Sequence, residues 1–261
     1  MHASSRLRLV DPSTLANVWR VDDFASEEKV LSSGHDMLDK QLPGGGWPLG
    51  SMVEILHQQA SLHRGQAGHP VWQLILPGLV KAIAQSTGPV VLIGSPHEPF
   101  GPSLQAQGLP ATRLLWVKVD KPPARLWASE QALKCAEVAA VVAWLPQAKT
   151  AELRRLQMAA HQQGRLLFVF RDARALNDSS PARLRLLVEG TDALQLRIVK
   201  RRGPPLDSPL ELPATSKRLS ALIEARNQTR KRPAPTLPSA ISIPSIPGKR
   251  SHVLDRATAH T

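Results

Sequence analysis

Apolar residues recur along the chain in two patterns. Short, nearly continuous apolar runs lie at residues 51–56, 89–94, 113–119, 138–144 and 166–170. Runs of this length, rich in Val, Ile and aromatics, are the pattern of strands covered on both faces. Between them the spacing becomes helical. Over 70–85, Val71, Trp72, Leu74, Ile75, Leu79, Val80 and Ile83 form one face, entered by Pro70 at a tolerated first-turn position. Pro77 inside that segment predicts a kink or a break. A short helix is predicted over 102–107, a longer one over 124–137, and another over 150–163 capped by Thr150. Cys135, on the apolar face of the helix over 124–137, is expected in the core. Strand and helix alternating in this way predict an α/β fold with a mostly parallel sheet flanked by helices.

The pattern then changes twice. Residues 183–188 and 193–200 alternate Arg with Leu, Ile and Val around Glu189, Gly190, Thr191 and Asp192, which predicts a C-terminal antiparallel hairpin with one polar face. Beyond Arg202, nine of the 23 prolines lie between 204 and 247. Residues 203–261 therefore read as a Pro-rich, basic, largely disordered tail, with a short amphipathic helix over 216–226. Residues 1–16 are polar and mixed and read as a flexible N-terminus, which leaves 17–202 as the folded domain.

The domain is organised around residues 31–59. A turn at Gly34 leads to a short helix with Met37 and Leu38. Gly44, Gly45 and Gly46 then form a loop closed by Trp47 and Pro48, and the first core strand follows. Glu54 is the odd residue of that strand, a carboxylate within an apolar run. Such a lead-in often feeds a phosphate-binding loop, which needs a Gly-rich turn ending in Lys-Ser/Thr. Here the strand runs into His57, Gln58 and Gln59, and on to Arg64 and Gly65, with no Gly-Lys-Ser/Thr anywhere. The strand over 138–144 ends without an Asp for a metal, and that over 90–94 without a carboxylate to activate water. The reading is a degenerate phosphate loop with no catalytic residue, cofactor or metal. His57, His63 and Arg64 could still touch an anion or form a solvated loop. His57, His63 and His69 recur every six residues, which suits neither a helical nor a strand metal site.

Composition adds partners to this picture. The formal net charge is +12, from 33 Lys and Arg against 21 Asp and Glu, which predicts attraction to nucleic acid, to an acidic protein face or to an anionic membrane surface. Residues 200–261 hold twelve Lys or Arg against four Asp or Glu, so they carry eight of those charges. Lys200, Arg201 and Arg202 at the end of the last strand, and Arg230, Lys231 and Arg232 in the tail, are candidate contacts to phosphate backbones or to a partner. Trp19, beside Arg20 in a small apolar cluster, packs on the domain or anchors a partner. Trp47 either plugs the Gly-rich corner or meets a partner there. Arg171 and Asp172 read as strand-end surface charges. One cysteine allows no internal disulfide, the N-terminus lacks a secretory apolar core, and the apolar run over 138–145 is far shorter than the ~20 residues a membrane helix needs. A cytoplasmic protein, free or associated with the nucleoid, and without a membrane partner is the resulting expectation.

The segment LSSGHDMLDKQLPGGGWPLGSMVEI resembles the lead-in of the RecA recombinase core. VWRVDDF, QLPGGGWPLGSMVEIL, VVLIGSPHEPFGPSLQAQGLPATRLLWVKV, VVAWLP, LRRLQMAAHQQGRLLFVFR and SSPARLRL are similar to the ImuA family of translesion-synthesis accessory proteins, which shares its label with SulA-like cell-division inhibitors. The resemblance runs from about Val18 to Arg202. It implies a RecA-like fold without the ATPase machinery, with Pro96 standing where RecA has its catalytic Glu and Trp144 about where it has its metal-binding Asp. It further implies a role in the bacterial SOS response beside the Y-family-like polymerase ImuB, the alpha subunit of an error-prone C-family polymerase, and RecA. The tail would add non-specific DNA contact. The alternative the same label carries is a division inhibitor acting on the tubulin-like division protein.

Overall fold

A computed structural model describes residues 29–58, 70–189, 194–206 and 208–213. Two short strands, β1 (Val30–Leu31) and β2 (Trp47–Pro48), pair antiparallel and bracket the helical turn α1 (Asp36–Asp39). The main sheet contains β3 (Met52–His57), β4 (Val90–Ile93), β5 (Leu114–Val117), β6 (Ala140–Trp144), β7 (Leu166–Asp172), β8 (Leu184–Glu189), β9 (Leu194–Lys200) and β10 (Leu210–Leu212). Its order is β10-β9-β8-β3-β7-β6-β4-β5. From β8 to β5 all neighbours are parallel, and β9 and β10 add two antiparallel pairings at one edge. A mostly parallel α/β sheet flanked by helices, with a C-terminal antiparallel hairpin, is the architecture expected from the pattern.

Helices cover both faces because β3, β4, β6 and β7 are apolar on both. On one face, α2 (Pro70–Ala84) packs Leu74, Ile75 and Leu79 against Val53, Ile55, Leu92 and Phe168. On the other, α4 (Pro122–Lys134) and α5 (Thr150–Gln163) place Leu133, Leu153 and Leu156 over Met52, Val141 and Leu167. A short α3 (Gly101–Ala106) leads towards the edge strand β5. No helix among the described residues is long and apolar enough to cross a membrane.

Several expectations are corrected. α2 runs through Pro77 without a break; Pro77 lies under Gly34, whose backbone (φ +85°) packs directly on the proline ring. Cys135 falls just past the end of α4 and is exposed, because the helix stops one residue before it. Thr150 is the first helical residue of α5 rather than its cap; its hydroxyl donates to Ser179 O, while Glu152 reaches back to accept from the Lys149 N–H at 2.7 Å. The hairpin is polar on one face only in β9. β8 is buried along five of its six positions, because β3 lies on its other side. The sheet also continues past Arg202: β10 pairs with β9 and buries Leu212, so ordered structure reaches into the segment read as tail.

Candidate functional site

In open parallel sheets, ligands bind outside the carboxyl ends of the strands. Here β3 is central, between β7 and β8, and its last residue His57 lies level with Asp172 of β7. Trp144 ends β6 and is level with Phe170. Their rings stack at 4.8 Å with a 22° interplanar angle. Trp72, from the first turn of α2, meets Trp144 at 6.3 Å, and His57 meets the Phe170 ring at 6.0 Å. In a nucleotide-binding sheet the first turn of this helix offers open N–H groups to phosphate. Here Trp144 and Phe170 belong to the apolar cluster between α2 and the sheet, and Trp72 packs against it.

The polar groups at these strand ends are tied to the backbone. Arg125 of α4 donates from Nε to Val119 O at 2.8 Å and from a terminal nitrogen to Trp144 O at 3.4 Å. Its side chain lies against Gly94, where an added Cβ would meet Arg125 Cδ at 2.7 Å. Burial pushes the His57 imidazole below its ordinary value, against the raising effects of a hydrogen bond with the Gln58 backbone and of the Asp172 charge. Asp172 accepts from the Arg174 N–H at 2.8 Å and starts the single turn over Ala173–Asn177. No group of acidic, His or Cys residues suited to a metal occurs among the described residues.

On the other side of the sheet lies a buried charge cluster. Glu54, with no solvent exposure, accepts from Arg171 at 2.9 Å through Oε1 and from Arg185 Nε at 2.7 Å through Oε2. Arg171 also donates to Ala148 O and pairs with Asp178, both at 3.0 Å. Arg185 donates to Ala175 O and Leu176 O. One carboxylate thus anchors two cations that clamp the 173–177 turn and the loop after β6 onto the sheet. Arg171 is therefore not a surface charge: its side chain is 5% exposed, and its partner is Glu54 as well as Asp178.

The Gly-rich corner sits at the opposite end of the sheet. Trp47 is wholly buried, edge-on to Phe168 at 5.3 Å. It fits only because residue 78 of α2 is glycine, where a Cβ would come within 2.7 Å of the indole nitrogen. A side chain buried to that degree presents no surface, so the partner contact read at Trp47 gives way to the corner plug. Ser32, Asp39 and Lys81 tie the same corner, through a 2.5 Å bond from the Ser32 hydroxyl to Asp39 and a 2.6 Å bond from Lys81 to Ser32. Beside the corner opens a cavity of about 370 Å³ whose rim carries Arg183, Lys200, Arg201 and Arg202.

The structure therefore brings together three of the predicted residues, Lys200, Arg201 and Arg202, and sets His57 and Gln58 at the far end of the sheet. Gln59, His63, Arg64, Gly65, His69, Trp19, Arg230, Lys231 and Arg232 lie outside the described residues. Sequence reasoning missed Trp72, Arg125, Arg183 and Arg185. Only Arg185 had a signal, as an Arg in an apolar alternation facing a lone acidic residue in another strand.

No family model matches the chain. "Protein ImuA" of Caulobacter vibrioides, from two strains, is 33% identical to it over 135 residues, which is 52% of this chain and 54% of that protein. "Cell division inhibitor SulA" of Edwardsiella piscicida is 31% identical over 99 residues, 38% of this chain and 58% of that protein. The chain spans about half the length of the curated relatives it matches. The similarity to ImuA and SulA-type proteins that the motifs carry is thus found in both.

Proposed function

We propose that this chain is a non-catalytic accessory protein of SOS-induced, error-prone translesion DNA synthesis. It acts by contacts with an ImuB-type polymerase, with RecA, or with both, near the alpha subunit of an error-prone C-family polymerase. The observation that carries the reading is the aromatic cluster of Trp72, Trp144 and Phe170 at the strand ends, where an open sheet of this kind would otherwise seat a nucleotide. The relatives named ImuA support the pathway. Two measurements test it. Purified full-length chain is passed over immobilised ImuB-type protein and RecA; retention by neither refutes the adaptor. Thermal unfolding is followed with millimolar ATP and magnesium, since a ligand that binds only the native state raises its stability. No shift is expected, and a rise of several degrees would restore a nucleotide site.

A second reading is favoured by the relative named as a division inhibitor. A chain of that kind would filament cells on overexpression and block assembly of the tubulin-like division protein. Cells of normal length with unchanged assembly would remove it.

A further inference from the structure

The basic cavity beside the Gly-rich corner has no part in the strand-end site. Leu184 opens β8 and Lys200 closes the antiparallel β9, so it lies at the amino ends of the parallel strands, away from His57 and Trp144. Its apolar lining is Pro43, Pro48, Pro181, Ala182 and Leu184. Its rim holds four cations, and no carboxylate among the described residues lines it. The bonds recorded for Lys200 and Arg201 go to neutral oxygens. Lys200 donates to Ser180 O at 3.0 Å, and Arg201 donates to Pro204 O at 2.9 Å and to the Gln41 carbonyl. Neutral acceptors orient these cations without cancelling their charge, and groups held in place before binding lose less entropy on binding.

We propose that this cavity docks an acidic peptide segment of a partner protein, with one apolar side chain seated between the prolines and carboxylates on the rim arginines and lysine. Charge complementarity selects the carboxylates, since Arg forks bind them in paired hydrogen bonds. The proline lining selects an apolar anchor over a nucleic-acid strand. Among the described residues, no aromatic side chain lines the cavity for a base to stack on. The inference deepens the adaptor reading by assigning it a surface, and its test is separate from the pull-down.

The probe is a fluorescein-labelled hexapeptide, Glu-Asp-Leu-Phe-Asp-Glu, titrated with full-length chain and followed by anisotropy. The same peptide with Gln and Asn in place of its acids and a labelled 20-nucleotide single strand run beside it. Lys200 and Arg202 are exposed, so Lys200→Glu with Arg202→Glu leaves the core untouched. Binding of the acidic peptide is expected to fall at least ~10-fold in that variant and to stay within ~2-fold in Arg230→Glu with Lys231→Glu, whose charges lie elsewhere in sequence. The neutral Lys200→Gln, Arg202→Gln pair should fall by less. Four results would overturn the proposal: no binding of the acidic peptide, equal binding of its amide version, loss on changing the tail instead of the rim, or rim dependence confined to the oligonucleotide.

Discussion

At position 54 both carboxylate oxygens are engaged by guanidinium groups in a fully buried setting. Removing the central charge of a buried group takes away the counter-charge its buried partners share, at a cost of about 3–5 kcal/mol. Glu54→Gln should lose that much in urea unfolding. Asp178→Asn, whose side chain is 55% exposed, should lose no more than ~1 kcal/mol, since solvent already screens its pair. The sequence marks Glu54 as anomalous but hides its partners, which are 117 and 131 positions away and meet it only once β7 and β8 flank β3. Two histidines behave differently. Burial lowers both His35 and His57 from the ordinary value of 6.5. His35 keeps its Nε2 at 3.0 Å from Gln73 O. The folded state then binds fewer protons than the unfolded one just below pH 6.5, so stability is full above that pH and is lost as pH falls towards the lowered folded values. A urea-midpoint series from pH 8 to pH 5 should decline on the acid side, and His35→Gln with His57→Gln should flatten the decline.

Among the elements, α2 and the corner it covers depend on two glycines. Gly78→Ala tests this, because two opposite effects compete. Alanine in a helix interior gains about 1 kcal/mol over glycine. Forcing a methyl into a filled core costs about 1–3 kcal/mol. With Trp47 Nε1 only 2.7 Å from the added carbon and the indole wholly buried, the second effect wins. The variant should be less stable than the parent in thermal unfolding, and Trp47→Phe in the same chain should recover part of the loss by withdrawing the pyrrole edge. The strands and long helices of this layer were legible because a sheet covered on both faces demands unbroken apolar runs. Element ends were not. Cys135 and Thr150 were misplaced because both lie within a residue of a helix terminus, where local pattern gives no sign of whether the backbone has already turned. The aromatic stack was illegible for a further reason. Trp72, Trp144 and Phe170 look like ordinary core residues in their own segments, and their meeting at the strand ends is a property of sheet order.

For the whole molecule, the composition boundary and the folding boundary do not coincide. Pro and Lys/Arg content changes at residue 203, yet the sheet continues to β10, with Glu211 level with Gln195 and Leu212 level with Leu194. β10 is too short and too close to prolines for its apolar pair to register against the polar background. It carries weight because β9 would otherwise be an open edge with a bare apolar face. Leu212 is 2% exposed and joins the cluster that holds Leu194, Leu196 and Ile198. Deleting it removes about 1.5–3 kcal/mol of buried side chain, and the freed β9 edge becomes a template for pairing with other chains. A chain ending at Pro213 should therefore match full-length protein in urea midpoint and remain monodisperse in light scattering. One ending at Arg202 should have a lower midpoint and associate as concentration rises. Equal midpoints for the two shortened chains would mean that β10 adds nothing to the domain. The shortened chain also isolates the basic rim, since residues 183 and 200–202 stay in place while 230–232 are gone. Retention of the acidic hexapeptide by the version ending at Pro213 would place its binding on the folded domain instead of the basic tail.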